Sequence, residues 1–119
     1  MIEDLSFHIV DVVQNSVTAG ADRVEIVIEA SVRKDRIQLK ICDNGRGMDT
    51  DTVRRVQDPF YTTKSGKKVG LGIPLMKETA LHCDGAFELT SRLDKGTRIR
   101  AEYRLTHICL LYTSDAADE

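Results

Sequence analysis

A chain of 119 residues with a formal charge of −2 has the size of one domain with a single core, and its composition is that of an ordinary globular protein. The near-balanced charge gives no argument for nucleic acid or an anionic membrane surface, and no apolar run is long enough to span a bilayer. The start, Met1-Ile2-Glu3-Asp4, lacks the basic opening and cleavage site of a signal peptide, so the expected compartment is the cytoplasm.

Residues 3–19 are rich in Val and Ile, which by propensity alone favours a strand. Periodicity argues for a helix instead. Leu5, Ile9, Val12, Val13 and Val17 fall on one helical arc, and Asp4, His8, Asp11 and Asn15 on another. The expectation is a helix with a buried apolar face and a polar stripe, stopped by Gly20. Such a stripe is by default a solvated face; an acid and an amide one turn apart, Asp11 and Asn15, make it worth following.

Residues 23–31 alternate, with Val24, Ile26 and Ile28 set against Arg23, Glu25, Val27 and Glu29, which predicts a strand with the first set buried. Residues 32–35 form a charged turn. Residues 36–42, with Ile37, Leu39 and Ile41 alternating, form the next strand, antiparallel to the first. This strand delivers Asp43 at its end, followed by Asn44-Gly45-Arg46-Gly47-Met48. One reading is a hairpin turn at Asn-Gly. The other is a wall for a flat polar ligand: the carboxylate accepts from a ring amino group, and the glycines let backbone approach where a Cβ would collide. No partner strand follows directly, because Asp49 or Thr50 can cap a short helix to about residue 56, and this weakens the hairpin reading.

Residues 58–72 run Asp58-Pro59-Phe60-Tyr61-Thr62-Thr63-Lys64-Ser65-Gly66-Lys67-Lys68-Val69-Gly70-Leu71-Gly72. They read as a cationic, glycine-punctuated lid, anchored on the core by Phe60 and Tyr61, or as a plain solvated loop. Ile73 and Pro74 open the next helix, whose face carries Leu75, Met76, Thr79, Ala80 and Cys83 and which Gly85 ends. Glycines before a helix start can bring free backbone N–H groups and the helix dipole to a phosphate. Residues 86–91 are a third strand, Asp94-Lys95-Gly96-Thr97 a turn, and residues 98–105, with Ile99, Ala101, Tyr103 and Leu105 alternating, a fourth strand.

The last eleven residues, from Cys109 on, continue no earlier pattern. They resemble a translated transposase-type sequencing adapter, so the expected division is a natural domain over residues 1–108 and a non-native tail over 109–119. Without that tail the cysteines are Cys42 and Cys83. With no CxxC spacing they read as reduced thiols, not a disulfide frame or a zinc site.

Five boxes in order carry a specific resemblance: Asp11-Val12-Val13-Gln14-Asn15-Ser16, the Asp43–Met48 stretch, Asp58-Pro59-Phe60-Tyr61-Thr62-Thr63-Lys64, Gly70-Leu71-Gly72-Ile73, and Gly96-Thr97. The set resembles the GHKL, or Bergerat-fold, ATP-binding domain of gyrase, heat-shock chaperones, histidine kinases and MutL, and in wording is nearest the histidine-kinase catalytic domain. The resemblance implies an α+β two-layer sandwich, with a mixed, mainly antiparallel sheet and helices on one face. It implies ATP and Mg2+ as ligands. Asn15 would take Mg2+ through its side-chain oxygen, and Asp43 would accept from the adenine amino group. Gly45 and Gly47, with Met48, would pass close to the nucleotide, and Thr97 would close the adenine pocket. Gly70, Leu71, Gly72 and Ile73 would hold phosphates from the helix start, while Phe60, Thr63 and Lys64 would act from the lid, with Lys67 helping to screen charge. No P-loop pattern is present.

Asp11 departs from the pattern: in ATP-hydrolysing relatives a Glu stands four residues before the Mg2+ asparagine and activates water. Asp11 is one methylene shorter and is a candidate base for hydrolysis or for a phospho-acceptor. The implied activity is transfer of the γ-phosphoryl group to a protein partner in trans. The alternatives are an ATPase whose nucleotide state controls a partner, or a non-catalytic, anti-sigma-like regulator. Dimerisation is left open, and His8 is expected to pack near the site or face solvent and not to be the phospho-acceptor.

Overall fold

The computed structural model describes residues 2–60 and 72–106, with side chains from residue 6. In chain order the elements are α1 (Ile2–Thr18), β1 (Val24–Ser31), β2 (Arg36–Asp43), α2 (Thr50–Arg55), α3 (Gly72–His82), β3 (Ala86–Arg92) and β4 (Gly96–Arg104). The strands form one sheet in the order β1-β2-β4-β3, and each neighbouring pair is antiparallel. A mixed, mainly antiparallel sheet was expected, and among the described residues the pairing is antiparallel throughout. β2 and β3 do run in the same direction, but β4 lies between them, so no parallel pair forms.

Alternation in β2 and β4 sets the core. Leu39 faces Ala101 and Ile41 faces Ile99 across the ladder, which puts their side chains on one side of the sheet. On that side α3 contributes Ile73, Met76 and Ala80, the residue after it contributes Cys83, and α1 contributes Val12. Leu39, Ile41 and Met76 are almost fully buried, each stabilising the fold by about 2 kcal/mol. The other side of the sheet is polar: Arg36 Nη1 and Gln38 Nε2 both donate to Glu102 at 2.9 Å.

The helix over the first residues forms as its period demands, but its faces are partly exchanged. Val17, assigned to the apolar arc, is exposed, and His8, assigned to the polar stripe, is buried. The buried arc is centred on Val12 and Ser16 because α1 must also meet the start of α3: a Cβ on Gly72 would lie 2.6 Å from Asp11 Cβ and 3.1 Å from the His8 carbonyl oxygen. Packing two helices together rotates the buried stripe away from the arc that hydrophobicity alone selects.

A second correction concerns β1. Ile26 and Ile28 share the core side of the sheet, opposite Ile41 and Leu39, yet they are 43% and 56% exposed; only Val24 is partly buried against the core. β1 is an edge strand, and α3 packs over β3 and β4 at the other side of the sheet. Leu75 on α3 is likewise exposed, while Pro74 beside it is buried.

Candidate functional site

The end of α1, the Asp43–Met48 loop, α2 and the start of β4 enclose a cleft of about 340 Å3. The loop is tied down on both sides. On the α1 side, the Arg46 amide donates to the Ala19 carbonyl at 2.9 Å and Arg46 Nη2 to the Thr18 carbonyl at 2.6 Å. On the β3–β4 side, the Asp94 amide donates to the Arg46 carbonyl at 2.7 Å, and the Met48 amide to Ser91 Oγ at 2.8 Å.

Asp43 is the polar centre of this arrangement. Ser16 Oγ donates to its Oδ2 at 2.7 Å, while Oδ1 accepts the amides of Gly45 at 2.9 Å and Thr97 at 3.2 Å. Hydrogen bonds to a carboxylate contribute about 1.5–3 kcal/mol each, so the three fix the group's orientation. With one donor on Oδ2, that oxygen retains acceptor capacity for a ligand.

The two glycines of the loop are required by contacts inside the fold. A Cβ at Gly45 would lie 3.0 Å from both Ala19 Cβ and the Ala19 carbonyl oxygen. At Gly47, φ is +71° and a Cβ would collide with the Arg92 carbonyl. Asn44, exposed, turns back to the chain before β1: its Oδ1 accepts the amides of Asp22 and Arg23 at 3.0 Å each, fastening the entry to β1. α2 begins as expected, with Asp49 as its N-cap accepting the Thr52 amide at 2.8 Å. That bond holds the Asp49 carboxyl below its ordinary range.

Of the residues singled out in the sequence, Asn15, Asp43, Gly47, Met48, Ile73 and Thr97 line the cleft. Gly45 is buried behind Asp43, and Gly72 is buried at the start of α3 against Asp11. Asp11 is half-buried beside that helix start and outside the cleft wall. Phe60 does not anchor on the core. It is 80% exposed at the start of a helical segment, where Asp58 Oδ1 accepts its amide at 2.9 Å. Thr63, Lys64, Lys67, Gly70 and Leu71, with Tyr61, lie outside the described residues.

Two serines that the sequence did not mark as site residues are central to the geometry. Ser16 orients Asp43, and Ser91 holds the Met48 amide, the Gly96 carbonyl and the Thr97 hydroxyl, the last two at 2.9 Å. Ser16 directly follows Asn15, one helical turn beyond the buried Val12, and so could have been found as a polar residue on the core arc. Ser91 carries no such signal.

The lining of the cleft suits a flat, partly apolar ring with a hydrogen-bond donor. Val12, Met48, Ile73 and Ile99 supply apolar wall, Asp43 the acceptor, and Asn15 a side-chain oxygen at the end of α1. Among the described residues no group of His, Cys, Asp and Glu forms a metal-binding cluster. No helix among the described residues is long and apolar enough to cross a membrane.

Residues 3–107 match the family described as histidine kinase-, DNA gyrase B-, and HSP90-like ATPase. The chain is 31% identical over 106 residues to the sensor histidine kinase YxdK of Bacillus subtilis, covering 83% of this chain and 32% of that protein. It is 30% identical over 102 residues to the anti-sigma F factor of Clostridium perfringens, covering 82% of this chain and 69% of that protein. The fold matches a crystal structure of full-length ShkA in complex with AMPPNP at a TM-score of 0.66 and 22% identity, covering 85% of this chain and 21% of that one. This chain therefore spans a third or less of the sensor kinase it matches and belongs to the histidine kinase-, gyrase B- and HSP90-like ATPase family, whose members bind ATP with Mg2+.

Proposed function

We propose that this domain binds ATP with Mg2+ in the cleft and presents the γ-phosphoryl group to a protein partner in trans. The observation that carries the reading is the convergence on one cleft of Asn15 from α1 with Asp43 and Thr97 from the sheet. Asp43 selects the adenine amino group, with its carboxylate held by Ser16, Gly45 and Thr97. Asn15 holds the cation, and the start of α3 at Gly72 and Ile73 takes the phosphates. Mg2+ neutralises charge on the phosphate oxygens when bound.

In the transfer, the partner's acceptor atom attacks the γ-phosphorus. The bond to the bridging oxygen breaks, ADP leaves, and the acceptor's proton passes to a base. Asp11, half-buried against Gly72 at the start of α3, is the candidate for that base.

The test is binding and labelling together. ATP with Mg2+ should bind more tightly than GTP. Asp43→Asn should remove that preference, and Asn15→Ala should remove the dependence on Mg2+. Equal binding of ATP and GTP to the unaltered chain would overturn the role of Asp43. Label from [γ-32P]ATP should appear on a cognate partner and vanish with Asn15→Ala; label that persists there would overturn the transfer reading.

The match to the anti-sigma F factor, of which this chain spans 69%, favours a second reading as a regulator that captures its partner in an ATP-dependent way without turnover. ATP-dependent capture with no labelled product would select it.

A further inference from the structure

β1 has an open edge. The Asn44 amide donates to the Arg23 carbonyl at 3.3 Å, so the backbone polar groups of Arg23 and the odd-numbered residues after it turn towards β2. The N–H and C=O groups of Val24, Ile26, Ile28 and Ala30 therefore point outward, and β1 is the last strand of the sheet on this side among the described residues. Ile26 and Ile28 flank that edge, half-exposed on the helix-covered side, beyond the cover that α3 gives to β3 and β4. An exposed edge with apolar side chains is a template for another strand.

We propose that two copies of this chain pair through β1, antiparallel about a two-fold axis, with Ile26 opposite Ile26 of the second copy. A two-fold axis normal to the sheet requires the numbers of facing residues to have an even sum, so that each pair shares a face and meets through outward-pointing backbone. Charge then favours one register over its two neighbours. With Ile26 opposite itself, Val24 faces Ile28 on the helix side. On the outer side Arg23 faces Glu29, twice by symmetry. Neither Arg23 nor Glu29 has an ion-pair partner among the described residues, and both are exposed. Sliding the second copy two residues one way places Glu25 against Glu29 twice. Sliding it the other way places Glu25 against Glu25. Like charges directly opposite are unfavourable, so both neighbouring registers are disfavoured. The pairing makes one eight-stranded sheet from two four-stranded ones. It also places the joint beside the cleft, because Arg23 is fastened by Asn44, the residue after Asp43.

The experiment is sedimentation equilibrium of the full chain and of two single variants, Arg23→Glu and Glu29→Arg. Each variant alone puts like charges at both positions of the joint and should weaken self-association by roughly tenfold or more. An equimolar mixture of the two variants restores both ion pairs in a heterodimer and should associate as tightly as the unaltered chain. An unaltered chain that stays monomeric at about 0.5 mM, well above the micromolar range of specific complexes, overturns the proposal. So do single variants that associate as well as the unaltered chain, or a mixture no tighter than its components. Both residues are exposed, and circular dichroism confirms that each variant is folded. The outcome does not depend on whether the cleft binds ATP.

Discussion

Ser16 Oγ donates to Asp43 Oδ2 at 2.7 Å and so links the last turn of α1 to the end of β2. Ser16 is almost fully buried, so this bond is shielded from water. Removing the hydroxyl with Ser16→Ala leaves Asp43 held by the Gly45 and Thr97 amides, both on Oδ1, and frees Oδ2 to rotate away from a ligand. The expected result is a five- to thirtyfold weaker affinity for ATP, equivalent to about 1–2 kcal/mol, with reduced preference over GTP. Calorimetric titration of both nucleotides measures it; unchanged affinity would show that the two amides suffice.

Gly72 packs directly on α1. A Cβ there would stand 2.6 Å from Asp11 Cβ, well inside van der Waals contact. Gly72→Ala should destabilise the domain by about 1–3 kcal/mol through overpacking. Combining it with Asp11→Gly removes the colliding carbon, so the double variant should lose less than the sum of the two single losses. Urea unfolding of the four proteins gives the coupling. Additive losses would mean that the strain sits instead at the His8 carbonyl, 3.1 Å away.

The Tyr103 hydroxyl is buried with no hydrogen-bond partner among the described residues, and burial pushes its ionisation up beyond the ordinary tyrosine range, with Cys83 adding to the effect. Tyr103→Phe should therefore be neutral or stabilising by up to about 1 kcal/mol at pH 7. The sign of the pH dependence follows from the raised values. The folded state keeps Cys83 and Tyr103 protonated while the unfolded chain ionises them near their ordinary values of 9.0 and 10.0. Stability is full below about pH 9 and falls as pH rises above it. Tyr103→Phe should flatten the part of that fall above pH 10, and thermal melts from pH 7 to 11 would show it.

Burial also raises the Cys83 thiol, whereas Cys42 lies half-buried on the outer side of the sheet. Thiolate is the reactive form, so Cys42 should be alkylated well before Cys83 at pH 8. Peptide mapping after a short iodoacetamide pulse distinguishes the two. Equal labelling would mean that α3 opens from the sheet on the timescale of the pulse.

The order of elements, the strand alternation in β2 and β4 and the Asp49 cap were legible because they rest on local rules. Periods of 3.6 and 2, a capping carboxylate and glycine at tight approaches each declare themselves within a few residues. The exposed Ile26 and Ile28 and the buried His8 were not. β1 alternates like a half-buried strand, and no residue within it records that the helices cover the sheet elsewhere.

The chain's own residues thus determined an α+β domain of the ATP-binding family and brought Asp43 to the end of a strand, since side-chain period and turn chemistry act over short range. Tertiary structure alone decided what Asp43 meets. Its donors, Ser16 from α1 and Thr97 from β4, are joined to it only when the helix packs over the sheet and β4 enters between β2 and β3. Contacts between segments so far apart in sequence depend on which faces bury together, and that is a property of the packed molecule.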